Sequence, residues 1–369
     1  MTITKLYIDQ DVVDFPETIS IRSRLQVPSE IVTESGVVFN SVLTADDPIL
    51  MGKKALYLTR NKGAFVKHCP GTRCYTCCGY QILHVGAYCH MDCAYCILQS
   101  YFHPPVLQYF VNHGDLMQAL NRVFAQKCIT RIGSGEFTDS LIWEFWTDLS
   151  STLIPAFAGQ EFCALELKTK TAAVEALKSL AHHHKTIVSW SLNTRQVIHN
   201  EERFTASLSA RLEAAAKCAS WGYPLAFHFD PLIIYDGCEK DYKGVVEQLF
   251  DRINPDRIVW ISLGTLRFMP ALKDIIQKRF PDSRIVYGEF VTGLDGKMRY
   301  FKPLRIEIYH HMVNWIRECA PDVLVYLCME DDEVWAKSMG YIPADHGGLS
   351  RMLDERAAQC CNLSPEGLK

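Results

Sequence analysis

Three cysteines offer the clearest chemistry in this sequence. Within GAYCHMDCAYCILQ, Cys89, Cys93 and Cys96 follow one another at C-x3-C-x2-C spacing. Three thiolates on one short loop can bind three irons of a [4Fe–4S] cluster and leave the fourth iron without a protein ligand. A structural zinc loop is the alternative, but such sites usually pair two C-x2-C knuckles or add histidines at fixed spacing. The spacing therefore favours a cluster with one open iron.

Four more cysteines lie shortly before this triplet, in CPGTRCYTCCGY: Cys69, Cys74, Cys77 and Cys78. They could hold zinc or a second cluster, but their spacing follows no familiar ligand pattern, so their role stays open. The chain has 15 cysteines in all, and its N-terminus does not read as a signal peptide. A disulfide framework is therefore a poor explanation, and metal or redox chemistry is the better expectation.

The elements that must position the triplet alternate between short β-branched runs and amphipathic stretches. Six runs are predicted to be strands: YQILHV, ITRIGSG, FCALEL, TIVSWSLN, PLAFHFD and RIVWISLG. Stretches with helical spacing separate them, as in MQALNRVFAQK. This alternation predicts an α/β barrel of parallel strands, which six units leave incomplete. A doubly wound open sheet is the alternative, but no glycine-rich nucleotide fingerprint follows the first strand.

Polar residues recur near the carboxyl ends of four predicted strands, where barrel enzymes bind substrate. They include Ser134, Glu136, Thr138, Asp139, Glu166, Lys168, Lys170, Ser189, Ser191, Asn193, His228 and Asp230. Lysine suits a carboxylate, while serine and asparagine suit ribose hydroxyls. Any one of these side chains alone would more often be a hydrogen-bonded core group. Their convergence favours a binding site.

Composition narrows the class of protein. The chain has 369 residues, of which 48% are hydrophobic and 22% charged, and its formal net charge is −4. No run approaches the ~18 consecutive apolar residues of a membrane helix, so we expect a cytoplasmic protein. The slightly acidic total excludes a strongly basic coat protein. Any contact with nucleic acid must therefore come from a local basic patch.

Three regions are predicted along the chain: an N-terminal extension over 1–79, the barrel over 80–285, and a C-terminal hairpin and helical region over 286–369. The hairpin is expected in RIVYGEFVTGLDGKMRYFKPLR. There, Asp-Gly between alternating apolar residues supplies the positive φ angles of a tight turn. The run DVLVYLCM is predicted to be a last buried strand.

Taken together, these segments resemble the spore photoproduct lyases, radical SAM enzymes that reverse a methylene-bridged thymine dimer in DNA. The resemblance is carried by CPGT, YTCCGY, GAYCHMDCAYCILQSYFHPPVLQYF, SWSLNT, HFDP and the hairpin near Gly296. It implies a partial (β/α)6 TIM-like barrel in which the triplet holds a [4Fe–4S] cluster. It further implies that S-adenosyl-L-methionine (SAM) is cleaved to a 5′-deoxyadenosyl radical, with electrons from a reductant such as flavodoxin or ferredoxin.

The resemblance also implies roles for single residues. Seven would position SAM: Tyr95, Ser134, Glu136, Thr138, Asp139, Lys170 and Ser191. Tyr95 and Glu136 are in addition the candidate catalytic residues. The hairpin would wedge into a duplex to expose a flipped lesion, with phosphate contacts from Lys297, Arg299, Lys302 and Arg305. A solvated charged edge that protects the hairpin from aggregation is the alternative for these four.

Three positions depart from the family pattern. Glu136 stands where the family carries a cysteine that donates a hydrogen atom, and Ile97 replaces a tyrosine of the family's radical relay. Asp230, near the substrate pocket, replaces a small residue. We therefore expect cofactor binding to be kept and the last chemical step to be altered.

Six later cysteines are read as buried small hydrophobes, although one of them could be a displaced donor: Cys128, Cys163, Cys218, Cys238, Cys319 and Cys328.

The leading hypothesis is a radical SAM lyase that acts on a damaged or modified DNA base. One alternative keeps the radical chemistry but changes the substrate to RNA, a nucleoside or a small molecule. Another is a non-catalytic iron–sulfur or zinc protein that binds nucleic acid. SAM binding separates the last hypothesis from the other two.

Overall fold

The computed structural model describes residues 2–71 and 74–368 of the chain. Its strands are β1 (Lys5–Asp9), β2 (Ser29–Val32), β3 (Ala55–Thr59), β4 (Val66–His68), β5 (Gln81–Leu83), β6 (Gly86–Ala87), β7 (Asp92–Cys93), β8 (Leu107–Phe110), β9 (Thr130–Gly133), β10 (Cys163–Thr169), β11 (Thr186–Ser191), β12 (Glu202–Arg203), β13 (Leu225–Leu232), β14 (Ile258–Thr265), β15 (Arg267–Phe268), β16 (Phe290–Thr292), β17 (Met298–Tyr300) and β18 (Leu324–Leu327).

The α-helices are α1 (Pro16–Leu25), α2 (Ser35–Leu43), α3 (Pro48–Lys54), α4 (Leu98–Tyr101), α5 (His113–Phe124), α6 (Leu149–Ala158), α7 (Arg195–Glu201), α8 (Leu208–Ser220), α9 (Cys238–Phe250), α10 (Pro270–Arg279), α11 (Lys302–Cys319), α12 (Asp332–Met339) and α13 (Leu349–Cys360). None of the described helices is both long and apolar enough to cross a membrane.

A curled eight-stranded sheet forms the centre of the molecule, in the order β18-β14-β13-β11-β10-β9-β5-β4. All neighbouring strands are parallel except β4, which runs antiparallel to β5 at one edge. Every residue of β14 is buried, as expected for a parallel strand covered on both faces. One or more α-helices lie between successive parallel strands, except between β10 and β11, where the only helical segment is a short 3-10 turn (Glu175–Leu177). The carboxyl ends of the parallel strands therefore meet at one rim. The predicted partial barrel is confirmed.

The six predicted strands correspond to β5, β9, β10, β11, β13 and β14, and β18 extends the same sheet by one parallel strand. The predicted region boundaries do not coincide with breaks in the sheets. β4, from the N-terminal region, pairs with β5, and β18 lies after residue 285. Pairing between distant segments therefore joins the three predicted regions.

The N-terminal region builds a second sheet, in the order β2-β1-β3-β8-β6. β1, β2, β3 and β8 are parallel, and β6 closes the sheet antiparallel to β8. Because β6 and β8 flank the cysteine triplet in sequence, this sheet supports the triplet from one side. The N-terminal region is thus part of the scaffold of the site.

The predicted hairpin is formed by β16 and β17, and β15 pairs with the other side of β17. Gly296 has φ +75° in the turn, a conformation that glycine adopts without a steric penalty. The run Arg284–Tyr287, expected to start the first strand, is outside β16. The three strands lie beside the carboxyl ends of β13 and β14, because β15 follows β14 almost directly.

The C-terminal helix α13 packs on β9 and β14 and covers one end of the large sheet. Its Leu353 is fully buried. Outside this apolar contact, Arg131 on β9 donates from Nε to Asp354 Oδ1 at 2.7 Å and also bonds the carbonyl oxygen of Cys78. The helix is therefore attached both to the sheet and to the cysteine-rich segment.

Leu353→Ala tests how much this helix contributes to the fold. Removing a fully buried leucine side chain leaves a cavity, so we expect the free energy of unfolding to fall by about 2–5 kcal/mol. Urea denaturation followed by far-UV circular dichroism measures the change. Ile19→Ala, at a side chain that is 59% exposed, should change stability by less than about 0.5 kcal/mol. Equal losses for the two variants would contradict the packing role of α13.

Candidate active site

A cavity of about 300 Å³ opens at the rim where the parallel strands end. We call it the outer cavity. Cys89, Cys93 and Cys96 line one wall. The other walls include most of the residues predicted from sequence: Tyr95, Glu136, Thr138, Asp139, Lys170, Ser191, Asp230 and Lys297. The fold thus brings the triplet and these polar side chains together around one space.

Buried side chains hold the cysteine loop by its backbone carbonyl groups. Lys53, fully buried at the end of α3, donates from Nζ to the carbonyl oxygen of Cys89 at 3.1 Å and to that of Met91. Gln99 Nε2 donates to the carbonyl oxygens of Cys93 and Ala94, each at 3.0 Å. Because these carbonyl groups are satisfied within the protein, the loop is fixed before any ligand binds.

Two ion pairs reinforce the loop. Lys53 Nζ lies 3.8 Å from Asp92 Oδ1. Arg279 on α10 binds both carboxylate oxygens of Asp92, at 3.0 and 3.2 Å, and also Asp47 at the start of α3. A bidentate arginine fixes the orientation of a carboxylate as well as its position. Helix α3 of the N-terminal region, the cysteine loop and α10 are therefore bound to one another at Asp92.

The thiols themselves suit a cluster better than a single ion. Burial raises the pKa of Cys89 to about 12 and that of Cys93 well above its usual range. Metal binding must therefore displace protons, as it does for thiolate ligands in general. Among the described residues, no three His, Cys, Asp or Glu side chains converge closely enough to share one metal ion. A cubane cluster binds each thiolate at a different iron and does not require such convergence.

Tyr95, within the cysteine loop, has its ring near Lys170. Its hydroxyl group is hydrogen-bonded to the buried Glu202, which is paired with the buried Arg211. Burial and the nearby Glu202 raise the pKa of Tyr95 well above its usual range, so the phenol stays protonated. Lys170 Nζ is 5.8 Å from the centre of the Tyr95 ring, within reach of a cation–π contact. The ring of Tyr95, and not its hydroxyl group, is available to a ligand.

Asp139 fixes the loop after β9. Its Oδ1 accepts hydrogen bonds from Thr169 Oγ1 at 2.8 Å and from Leu141 N at 3.0 Å, and its Oδ2 accepts from Lys170 N at 2.7 Å. Although these hydrogen bonds favour the carboxylate, burial is the larger effect and raises the pKa of Asp139. The carboxyl group therefore positions Lys170 at the cavity wall.

The prediction that Ser134 helps to position SAM is wrong. The side chain is buried behind the cavity wall, where its Oγ donates to Ser140 Oγ at 2.9 Å. Ser140 Oγ in turn accepts from Lys168 N at 3.0 Å. The alternation of a strand does not hold in the bend after Gly133, so this hydroxyl group serves the loop instead of facing a ligand.

A second cavity of about 130 Å³ adjoins the first, and we call it the inner cavity. Both cavities are lined by Glu136, Lys168, Asp230, Arg267 and Met329, which we call the shared wall. Four cysteines line the inner cavity: Cys69, Cys77, Cys78 and Cys328. The sequence does not single out Arg267 as a site residue, and it offers Cys328 only as one of six later cysteines, any of which could be a displaced donor. Their places directly after β14 and β18, at the functional rim of the barrel, are the signal that could have found them.

Charged side chains of the inner cavity occur in close pairs. Arg267 binds Asp230 through two contacts of 3.3 and 3.1 Å, and His228 Nε2 lies 2.7 Å from Glu166 Oε1. Burial alone would raise the pKa of Asp230, but Arg267, with help from Lys168, holds it below its usual range. Burial likewise opposes ionisation of Glu166, and His228 reverses the effect, so the pKa of Glu166 is lowered. Both acids are therefore charged at neutral pH.

Comparison with known proteins identifies the family. The family model described as spore photoproduct lyase matches residues 76–321. The chain belongs to the spore photoproduct lyase family.

Two curated relatives, both called spore photoproduct lyase, show how distant the likeness is. The protein of Clostridium acetobutylicum is 25% identical over 232 residues, which are 62% of this chain and 66% of the relative. The protein of Bacillus subtilis is 28% identical over 207 residues, which are 54% of this chain and 60% of the relative. The likeness therefore spans somewhat less than two thirds of either relative.

Solved structures confirm the fold. A spore photoproduct lyase double mutant with bound AdoMet and dinucleoside spore photoproduct superposes with a TM-score of 0.78. It is 21% identical, and the match covers 89% of this chain and 99% of that one. A spore photoproduct lyase complexed with dinucleoside spore photoproduct gives a TM-score of 0.77 at 21% identity, over 88% of this chain and 99% of that one. At this identity the likeness establishes the architecture.

The basic residues at the hairpin of this family member divide into two groups. Arg299 and Arg305 are buried, which corrects the prediction that they contact phosphate. Arg299 pairs with Asp295 at 2.8 Å, and Arg305 pairs with Glu330 at 3.2 Å. These two guanidinium groups hold the hairpin in place and are closed to a duplex.

Lys297 and Lys302 are the basic residues of the hairpin region that a ligand can reach. Lys297 lines the outer cavity. Lys302 is exposed, although it also pairs with Asp331 and Glu333 at 3.0 and 2.8 Å. At the tip, Leu294 is 76% exposed. The hairpin of this member therefore presents an apolar tip with few free positive charges around it.

Arg267→Met tests the charge pairing in the shared wall. The substitution leaves the mostly buried Asp230 without its cation, so we expect a loss of about 1–3 kcal/mol of stability at pH 7. In the parent chain the pKa of Asp230 is lowered, so the pair adds stability above about pH 4, and this is lost as the pH falls. The difference between parent and variant should therefore shrink between pH 7 and about pH 3 in urea denaturation.

The matched control is Arg351→Met, which breaks a well-exposed pair with Glu355. It should cost less than about 1 kcal/mol at either pH. A loss for Arg267→Met that is the same at both pH values would contradict the assignment of a charged Asp230.

Proposed function

We propose that this chain is a radical SAM lyase that repairs methylene-bridged thymine dimers in DNA. The observation that carries the proposal is the placement of the cysteine triplet on a cavity that continues into a second cavity beside the hairpin. Membership of the spore photoproduct lyase family supports it. So do the bound AdoMet and dinucleoside spore photoproduct of the structural neighbour.

In this proposal Cys89, Cys93 and Cys96 hold a [4Fe–4S] cluster, which supplies the electron that cleaves SAM when both are bound. A reductant such as flavodoxin or ferredoxin would recharge it. Lys170 suits the carboxylate of SAM because its ammonium group lies at the wall of the outer cavity. Ser191, also at this wall, suits a ribose hydroxyl group.

The remaining predicted residues of the outer cavity have more limited roles. The ring of Tyr95 gives adenine an aromatic surface, while the hydroxyl group stays bound to Glu202. Thr138 faces the ligand beside Asp139, which acts through the backbone of Lys170. Glu136 lies 3.9 Å from Lys168 in the shared wall, between the SAM region and the substrate region.

DNA would enter from the hairpin side. Leu294 at the tip can insert between bases, since apolar side chains are the common wedges in proteins that distort a duplex. Lys297 then lies between the wedge and the cavity, where it can meet a phosphate group close to the lesion. The flipped lesion would occupy the inner cavity and the shared wall.

A second candidate keeps the radical chemistry but changes the substrate. The shared wall and the inner cavity contain the Arg267–Asp230 and His228–Glu166 pairs and the ammonium group of Lys168. Thymine rings carry no charge, so this lining favours a more polar substrate, such as a modified nucleoside, RNA or a charged small molecule.

The deciding experiment is an anaerobic assay of the reconstituted protein with SAM, a strong reductant and an oligonucleotide that carries the lesion. We expect mass spectrometry to detect both repaired thymine and 5′-deoxyadenosine. Cys96→Ser should lose both products together with most of its bound iron, because the third ligand of the cluster is gone. An undamaged oligonucleotide of the same sequence is the control.

The other outcomes of this assay distinguish between the remaining candidate functions. Formation of 5′-deoxyadenosine without repair would reject the lesion as substrate and favour the second candidate. Absence of 5′-deoxyadenosine from a protein that binds DNA and contains iron would instead favour a non-catalytic iron–sulfur protein.

Leu294→Ser tests the hairpin as a wedge. Repair of the lesion within a duplex should fall at least about fivefold, because a polar side chain gains less from insertion between bases. Repair of the dinucleoside lesion, which needs no wedge, should be unchanged. Ile19→Ser, on the remote and exposed part of α1, serves as the matched control. Equal loss on both substrates would contradict the wedge.

A further inference from the structure

We propose that Cys328 donates the hydrogen atom that completes the reaction, an inference that rests on the proposed function. When a radical enzyme breaks a carbon–carbon bond, one product fragment keeps an unpaired electron on carbon. In the proposed step this carbon takes one hydrogen atom from the thiol, so that a C–H bond forms and the S–H bond of Cys328 breaks. The unpaired electron then resides on sulfur, and no ion or further reactant is needed for this step.

The position of Cys328 in the fold suits the donation of a hydrogen atom to a bound substrate. It directly follows β18, at the same rim of the barrel as the cysteine triplet, and it lines the inner cavity. Its Sγ is 3.4 Å from Arg267 Nη2. Arg267 belongs to the shared wall, so the thiol lies beside the boundary between the proposed SAM space and the proposed substrate space.

The chemistry of the contact leaves the thiol hydrogen available. Arg267 is the donor and the sulfur of Cys328 is the acceptor, so this hydrogen bond does not use the S–H group. Burial raises the pKa of Cys328 to about 12, and the thiol therefore keeps its hydrogen at neutral pH. Hydrogen-atom transfer requires this protonated form, whereas nucleophilic chemistry requires the thiolate.

The neighbouring cysteines are less suitable. The neighbouring Cys78 is the main cause of a lowered Cys77 pKa, which disfavours the protonated form of Cys77 that hydrogen-atom transfer requires. Cys77 and burial raise the pKa of Cys78, so Cys78 keeps its hydrogen, but among the described residues its side chain makes no direct bond to the shared wall. Cys69 also lines the inner cavity and keeps its hydrogen, since burial raises its pKa to about 11. Unlike Cys328, it has no direct side-chain bond to the shared wall among the described residues, and it is the rival candidate.

The carboxyl group of Glu136 does not provide an alternative. Glu136 is in the shared wall beside Lys168, but a carboxyl group is a poor hydrogen-atom donor because its O–H bond is much stronger than the S–H bond of a thiol. The hydroxyl group of Tyr95 is bound to Glu202, which lines neither cavity. The thiol groups of the inner cavity are therefore the best hydrogen-atom donors that face the substrate space.

The test compares the parent chain with Cys328→Ser, Cys328→Ala, Cys69→Ser and Cys319→Ser in the repair assay, run in D2O. Thiol hydrogens exchange with solvent, so the parent should place one deuterium in the repaired thymine. Serine matches the shape of cysteine but has a much stronger bond to hydrogen. Both Cys328 variants should therefore repair at least about tenfold more slowly while they still form 5′-deoxyadenosine.

Iron content and melting temperature of each variant show whether it folds and binds the cluster. Cys319 is exposed and lines neither cavity, so its variant should behave as the parent chain. Retained repair with deuterium in both Cys328 variants would overturn the inference, as would loss of repair in Cys69→Ser alone.

Results that reject the proposed function can be distinguished from results that reject only Cys328 as the donor. A parent chain that forms 5′-deoxyadenosine but leaves the lesion intact would reject thymine-dimer repair, and this inference with it, before any variant is compared. A parent chain that repairs the lesion without incorporating deuterium would keep the proposed function and overturn Cys328 as donor.

Discussion

Asp92 is the point on which the arrangement of the site depends. A buried carboxylate in the cysteine loop must be compensated, and here Lys53 from the N-terminal region and Arg279 from α10 compensate it together. Lys53 is itself fully buried, so it needs both Asp92 and the loop carbonyl groups as partners. None of these charged groups is satisfied alone. The interaction therefore requires three distant parts of the chain to meet, and it places the triplet at their junction.

The two cavities differ in how their charged side chains are arranged. The outer cavity combines thiols with the ammonium groups of Lys168, Lys170 and Lys297 and with hydroxyl groups, which suits a zwitterionic ligand bound through several weak contacts. In the inner cavity the charges are already paired within the protein. A substrate that enters it must fit around these pairs or break one, and breaking a buried pair is costly. Shape and hydrogen bonding therefore contribute more to selection there than net charge.

Local patterns were sufficient to predict a good part of this structure. The six barrel strands, the hairpin and the cysteine triplet all follow from periodicity, turn residues and spacing within short segments. The same patterns place Thr138, Lys170 and Ser191 at the rim, because strand alternation and strand ends are local properties.

The rest depends on contacts between distant segments. Arg299 pairs with Asp295 only four residues away, but its burial also depends on the distant Tyr75 and Met329. Nothing near Arg305 in the sequence shows that Glu330 would pair with it in the interior. The same is true of Cys328, which matches a small core residue by its apolar neighbours and becomes a cavity residue only because β18 joins β14. Ser134 shows a smaller limit, since one bend after a strand reversed the direction expected for its side chain.

Tyr75 contacts the hairpin and also lines the inner cavity. Its hydroxyl oxygen accepts a hydrogen bond from the backbone of Leu294 at 3.1 Å, and its ring lies 4.0 Å from the guanidinium group of Arg299. The same residue lines the inner cavity. One side chain is therefore shared between the hairpin tip and the wall of the cysteine-lined interior, so the position of the tip and the shape of that wall are not independent of each other.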